Sequence, residues 1–164
     1  MPDLINLRKF VAPEIIFGNG ARNLVGKYVQ QYMSSKVLVV TDPGVTEAGW
    51  LESVKKSLDE VNIPFHIFSD VSPNPRESQV MEGSELYLKE GCDVIVCVGG
   101  GSPMDCAKGI GIVSTHNKHI LEFEGVDKIE MPVPPLIFIP TTAGTSADVS
   151  QFCIITDTKR KVKI

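Results

Sequence analysis

Three short runs, KVLVVT at 36–41, DVIVCV at 93–98 and LIFI at 136–139, are apolar at nearly every position and rich in β-branched residues. A strand with one wet face alternates polar and apolar residues, so strands apolar on both sides must be covered on both faces, as in a parallel sheet. Amphipathic stretches separate them. From Thr46 to Val61, Trp50, Leu51, Val54, Leu58 and Val61 recur at three- and four-residue steps, the spacing of a helix face. Ala21 to Met33, Arg76 to Glu90 and Pro103 to Val113 also read as helices, with Gly91 placed to close the second of these. Glu14 to Phe17 and Phe65 to Phe68 read as further strands, and Ser72-Pro73-Asn74-Pro75 prevents a helix before Pro75. Strands and helices taking turns give an α/β domain on a mostly parallel sheet with right-handed crossovers. The pattern changes at the end. Phe152 to Thr156 and Lys161 to Ile164 flank Asp157-Thr158-Lys159-Arg160, which reads as a β-hairpin. Asn117 to Pro135 reads as a loop with about one turn of helix.

The 164 residues suit one domain, and 43% hydrophobic against 22% charged residues suits a packed core. A net charge of −4 argues against a nucleic-acid partner, because phosphate binding needs clustered Lys and Arg. The one basic run, Lys159, Arg160, Lys161 and Lys163, reads as a solvated turn. No stretch approaches the roughly 20 apolar residues of a membrane helix, and MPDLINLRKF lacks the apolar core of a signal peptide. Cys92, Cys97, Cys106 and Cys153 form no C-x-x-C pair. They read as reduced thiols in a cytoplasmic protein, with Cys97 a small buried hydrophobe. The chain stops on KVKI, inside a hairpin strand, so a longer polypeptide is expected.

The chemistry concentrates at Gly99-Gly100-Gly101-Ser102-Pro103-Met104-Asp105, after one buried strand and at the start of a helix. Ligands of open α/β sheets sit beyond the carboxyl ends of the strands. Three glycines clear side chains from where a ligand could meet backbone N–H groups. Ser102 is a natural N-cap, Pro103 fits the first helical turn, and Asp105 completes a capping-box pattern. A helix N-terminus so placed stabilises a pyrophosphate, and a branched side chain at Gly101 would obstruct it. Ala107, Gly109 and Gly111 keep one helix side small for packing on the sheet. No G-K-[ST] follows, which removes the Walker A reading. Gly18-Asn19-Gly20-Ala21-Arg22-Asn23 nearly matches G-x-G-x-x-G, but Asn23 replaces the third glycine, so a structural turn is expected there.

Asp42 follows KVLVVT and precedes Pro43-Gly44. At a strand's carboxyl end it can accept both ribose hydroxyls of adenosine and repel a 2′-phosphate, or simply favour a turn. Thr141, Thr142 and Thr145 offer hydroxyls in the loop after LIFI, for a ligand or for local backbone bonding. The only histidines are His66, His116 and His119, and no carboxylate joins them at metal-ligand spacing. No Ser-His-Asp triad or activated cysteine can be assembled.

FGNG at 17–20, TDPGV at 41–45, SPNP at 72–75, VGGGSPMDCAK at 98–108 and IPTTAGT at 139–145 together resemble the iron-containing (group III) alcohol dehydrogenases over essentially the whole chain. The order also fits the sister glycerol dehydrogenases and dehydroquinate synthases, the alternative within this superfamily, although PTTAGT favours the alcohol dehydrogenase branch. The resemblance implies a Rossmann-like, doubly wound NAD-binding domain ending in a hairpin. It further implies an all-helical domain, absent from this chain, that binds Fe²⁺ or Zn²⁺, and an NAD-dependent interconversion of an alcohol with an aldehyde or ketone. It assigns Asp42 to the adenosine ribose and Asn74 to the adenine side. It wraps Gly99, Gly100, Gly101, Ser102, Pro103 and Asp105 around the pyrophosphate and nicotinamide end. Thr141, Thr142 and Thr145 form the opposite wall, and Ile154 and Lys163 close over the cofactor. The family usually continues GTGSE where this chain has Gly144-Thr145-Ser146-Ala147-Asp148. The expected partners are a small alcohol or aldehyde and a second copy of the chain, with no membrane and no nucleic acid. The chain by itself is expected to be inactive and to expose an apolar face. The alternative of another class is a stand-alone nucleotide-binding module without catalysis.

Overall fold

The computed structural model describes residues 12–164. Its sheet has four parallel strands, β1 (Val37–Val40), β2 (Phe65–Phe68), β3 (Val94–Gly99) and β4 (Leu136–Pro140), in the order β2-β1-β3-β4. Val37 stands opposite both Phe65 and Val94, and β3 pairs with β4 from Ile95–Leu136 to Gly99–Pro140. Every residue of β1 and β3 is buried. Alternation explains why both strands are apolar throughout. Leu38, Val40, Ile95 and Cys97 enter one core layer, while Val37, Val39, Val94, Val96 and Val98 enter the layer on the other face. Each such side chain contributes roughly 1.5–3 kcal/mol on burial.

The helices are α1 (Val25–Gln31), entered through a 3₁₀ turn at Ala21–Leu24, α2 (Pro43–Glu47), α3 (Glu52–Glu60), α4 (Glu77–Glu90) and α5 (Gly101–His116). The single helix expected over 46–61 is two. Asp42 starts α2 early by accepting the Val45 N–H at 3.0 Å, and Gly49, at φ 72°, turns the chain before α3. Gly91 closes α4 in the left-handed region as its sequence position suggests. The 14–17 strand does not form. A strand exists only as a ladder with a partner. Residues 12–17 pair with no strand among the described residues, and Phe17 is 98% exposed. The small residues of α5 serve two surfaces rather than the sheet alone. A Cβ on Gly109 would stand 2.9 Å from Val80 of α4, whereas one on Gly111 would meet Ile95 of β3 and the 133–134 loop in ordinary contact. A 3₁₀ turn at Ile120–Phe123 is the one turn expected in the long loop.

The hairpin pairs β5 (Thr156–Asp157) antiparallel with β6 (Val162–Lys163). It docks on the segment before α4. The Thr156 N–H donates to the Pro75 carbonyl at 2.8 Å, and Glu77 accepts the Thr158 N–H at 3.1 Å and its hydroxyl. Arg160 of the basic run is bound to Asp157 and Glu124, so part of that run fastens the hairpin.

Candidate functional site

After β1 the chain runs to β2 on one side, and after β2 it returns to β3 on the other. The carboxyl ends of β1 and β3 therefore flank a topological switch point, where open α/β sheets leave a crevice. Asp42 leaves β1 there and Gly99-Gly100-Gly101 leaves β3. The Thr41 hydroxyl ties the two ends by donating to the Val98 carbonyl at 2.8 Å. Asp42 uses Oδ1 for the helix cap, while Oδ2 lies 3.4 Å from where a Gly99 Cβ would stand. Asp42 therefore starts the turn, and its second carboxylate oxygen faces the glycine loop.

The three glycines have no positive φ, so room rather than backbone conformation requires them. A Cβ on Gly99 would fall 2.6 Å from Pro103, one on Gly100 3.0 Å from Thr142 Oγ1, and one on Gly101 3.3 Å from Thr145. The threonine loop packs directly on the glycine loop, and Thr141 N–H donates to the Gly99 carbonyl at 2.9 Å. Ser102 is not the N-cap. Gly100 holds that position with no side-chain cap, and Asp105 completes no capping box, because α5 begins two residues earlier than the serine suggested. The first N–H groups of a helix have no intrahelical acceptor. Gly101 and Ser102, which carry the first two, line an open cleft.

That cleft, of about 470 Å³, gathers Asn74, Gly101, Ser102, Asp105, Thr145, Ile154 and Lys163 from five separate segments. Asp42, Gly99, Gly100, Pro103, Thr141 and Thr142 adjoin it through the loop contacts rather than lining it. Asn74, in the left-handed region at φ 56°, organises the mouth. Its N–H donates to Ser102 Oγ at 3.2 Å and its Oδ1 accepts from Lys163 Nζ at 2.7 Å. Ser102 thus anchors the neighbouring segment. Pro75, Ala147, Ser150 and Phe152 complete the lining and were not assigned to the site from the sequence. Ser146, at φ 53°, opens the turn that presents Ala147, at the point where the sequence departs from the family pattern.

Behind the cleft stands Lys108, one turn after Asp105 on α5 and buried. Its Nζ donates to the Phe152 carbonyl at 2.7 Å, lies 3.8 Å from Asp105 Oδ1 and sits over the Phe138 ring at 5.9 Å. Burial pushes the Asp105 carboxyl up, opposed by the Ile154 N–H and the Lys108 ammonium. Burial likewise pulls Lys108 down, opposed first by Asp105. Its sequence signal was a lone lysine among the small and apolar residues of CAKGIG.

Burial raises the Cys153 thiol to about 11 and holds Cys97 and Cys106 well above the ordinary thiol value. These cysteines are therefore protonated at neutral pH and are poor nucleophiles. His66 bonds Glu90 at 2.8 Å at the amino end of the sheet. His116 bonds the Ile112 carbonyl and the Met131 N–H, and His119 caps the 3₁₀ turn. Among the described residues no group of three or more His, Cys, Asp or Glu could hold a metal ion, so the donor set present does not fit Fe²⁺ or Zn²⁺. No helix among them is long and apolar enough to cross a membrane.

A sheet order of β2-β1-β3-β4 with helices in the connections, and a glycine loop at the switch point, define a Rossmann-like α/β domain. The family model for iron-containing alcohol dehydrogenase matches residues 12–164, and the chain belongs to that family. A choline dehydrogenase of Bacillus subtilis is 46% identical over 158 residues, covering 94% of this chain and 39% of that protein. An NAD-dependent methanol dehydrogenase of Bacillus methanolicus is 39% identical over 155 residues, covering 94% of this chain and 41% of that protein. The crystal structure of a 1,3-propanediol oxidoreductase superposes with a TM-score of 0.91 at 39% identity, covering 96% of this chain and 41% of the other. The chain thus spans about two-fifths of the length of these relatives.

Proposed function

We propose that this chain is the NAD-binding part of an alcohol dehydrogenase that interconverts an alcohol with an aldehyde or ketone. The observation that carries the reading is the Asp42 carboxylate beside Gly99 across the switch point. That pairing offers a ribose acceptor next to a loop where backbone can meet a pyrophosphate. The uncapped start of α5 adds N–H donors and the positive end of a helix dipole. The likeness to an NAD-dependent relative supports the same choice of cofactor. Bound there, the nicotinamide would accept or return a hydride.

The remaining roles belong to the chain. Asp42 accepts the adenosine ribose hydroxyls, Asn74 borders the adenine side, and Lys163 closes over the cofactor from the hairpin. Gly99 to Asp105 surround the pyrophosphate, Thr141, Thr142 and Thr145 form the opposing wall, and Ile154 covers the cofactor. The metal of the family name would need ligands outside the described residues. The exposed Phe152, Ile154, Val126 and Ile129 give this region an apolar face suited to association with a further domain or a second copy. A cytoplasmic setting accords with the four free cysteines. Titration of the protein with NADH, followed by the fluorescence of the bound dinucleotide, tests the proposal. Saturable binding that NAD displaces and NADP displaces poorly is the expected result. Absence of saturable binding would overturn it.

A further inference from the structure

The segment from Ser150 to Ile155 carries Phe152 and Ile154 into the cleft wall although it has no regular secondary structure. Backbone bonds tie its ends, Ser150 to Ser146 and Ile155 to Ile164, and between them side chains hold the backbone. Ser150 Oγ accepts the Phe152 N–H at 3.1 Å and Lys108 Nζ donates to the Phe152 carbonyl at 2.7 Å, with the Asp105 carboxyl facing the Ile154 N–H. Asp105 and Lys108 lie one turn apart on α5, so a single helix face grips alternate residues of an irregular strand. Lys108 itself does not line the cleft.

A buried ammonium is a costly way to fill this space. An apolar side chain of similar volume is often as stabilising, and in some proteins a buried ion serves instead to enforce one arrangement. The Phe152 and Ile154 side chains are 58% and 46% exposed, so packing of the side chains alone does not fix the height of this wall.

We infer that Lys108 is a positioning residue for the proposed nucleotide cleft, setting the Phe152–Ile154 wall through the Phe152 carbonyl and the Asp105 carboxylate. The inference rests on the nucleotide-binding reading above. Lys108 acts on affinity through Phe152 rather than by touching the ligand.

The test uses NADH as probe with Lys108→Met, Lys108→Arg, Phe152→Ala and the Lys108→Met/Phe152→Ala double variant, with melting temperature and amide exchange followed in parallel. Lys108→Met should raise the Kd roughly tenfold. It should expose amides 150–155 to exchange while those of α5 stay protected. Lys108→Arg, which keeps a cation and a donor, should recover most of the affinity. In the double variant the two losses should be less than additive, because part of the Lys108 effect is exerted through the Phe152 side chain. Additive losses in the double variant, or an unchanged Kd for Lys108→Met, would overturn the inference. So would a loss of affinity that merely follows a global fall in melting temperature and is not recovered by Arg. Failure of the parent protein to bind NADH would instead refute the nucleotide-binding reading itself, so the two failures are distinguishable.

Discussion

Replacing Asp42 with Asn separates the two tasks this residue performs. Asn caps a helix about as well as Asp, so the bond to the Val45 N–H and the start of α2 should survive. What disappears is the charge beside Gly99. Two unit charges about 4 Å apart interact by roughly 1 kcal/mol in water and roughly 4 kcal/mol near a protein surface. Asp42 is half-buried at an open crevice, and salt screens the pair further, so about 1–2 kcal/mol of discrimination against a 2′-phosphate is expected. That is roughly a five- to thirtyfold change in the ratio of NADP to NAD dissociation constants. Asp42→Ala should shift the ratio similarly but also lose about 1 kcal/mol of stability with the cap. The assay is competitive displacement of NADH by NAD and by NADP, alongside thermal melting. A ratio unmoved in Asp42→Asn, with the melting temperature unchanged, would refute the ribose assignment and leave Asp42 as a turn residue.

Gly101→Val should abolish dinucleotide binding measured by calorimetry. Because even its Cβ would crowd Thr145 at 3.3 Å, it should also cost about 1–3 kcal/mol of stability; unchanged NAD affinity would contradict the glycine-loop reading. Burial raises the Asp93 carboxyl, but bonds from Ser34, Ser35 and the Lys36 N–H outweigh it and hold the group below its usual value. A depressed folded-state value contributes stability above the unfolded value and loses it as pH falls through the folded one. Asp93→Asn should therefore cost roughly 1 kcal/mol at neutral pH, discounted for partial exposure, with the difference from the parent beginning to shrink at about pH 4 and vanishing only below the depressed folded-state value; parallel stability curves in denaturant down to low pH would contradict this. Residues 1–164 supplied with NAD, Fe²⁺ or Zn²⁺ and primary alcohols or diols should form no NADH by absorbance, and steady turnover abolished by a chelator would contradict that expectation.

The core was legible because β1 and β3 each feed two buried layers, which leaves no polar position to disguise them. The glycine loop, the threonine loop and Asp42 were legible for a related reason: a sheet of this kind presents its strand ends along one edge. Legibility failed where tertiary partners decide. EIIF has a strand's composition but no ladder partner among the described residues. Ser102 looks like a cap, yet α5 starts at Gly101, and its hydroxyl serves the Asn74 N–H instead. Gly49 broke a helix whose apolar spacing continues across it, because periodicity does not register one left-handed residue. Phe152 and Lys108 meet across 44 positions of sequence, a contact that no local pattern announces.

The most direct measurement is the change in backbone amide NMR signals as NAD is added to the isotopically labelled protein. Saturable shifts should concentrate at Asp42, Asn74, Gly99 to Ser102, Met104, Asp105, Thr141 to Thr145, Ile154 and Lys163, with the amino end of the sheet around Asp93 and Glu90 unmoved. Shifts centred elsewhere, such as at Gly18 to Asn23, or none at concentrations where NADH binds, would contradict the NAD-binding reading.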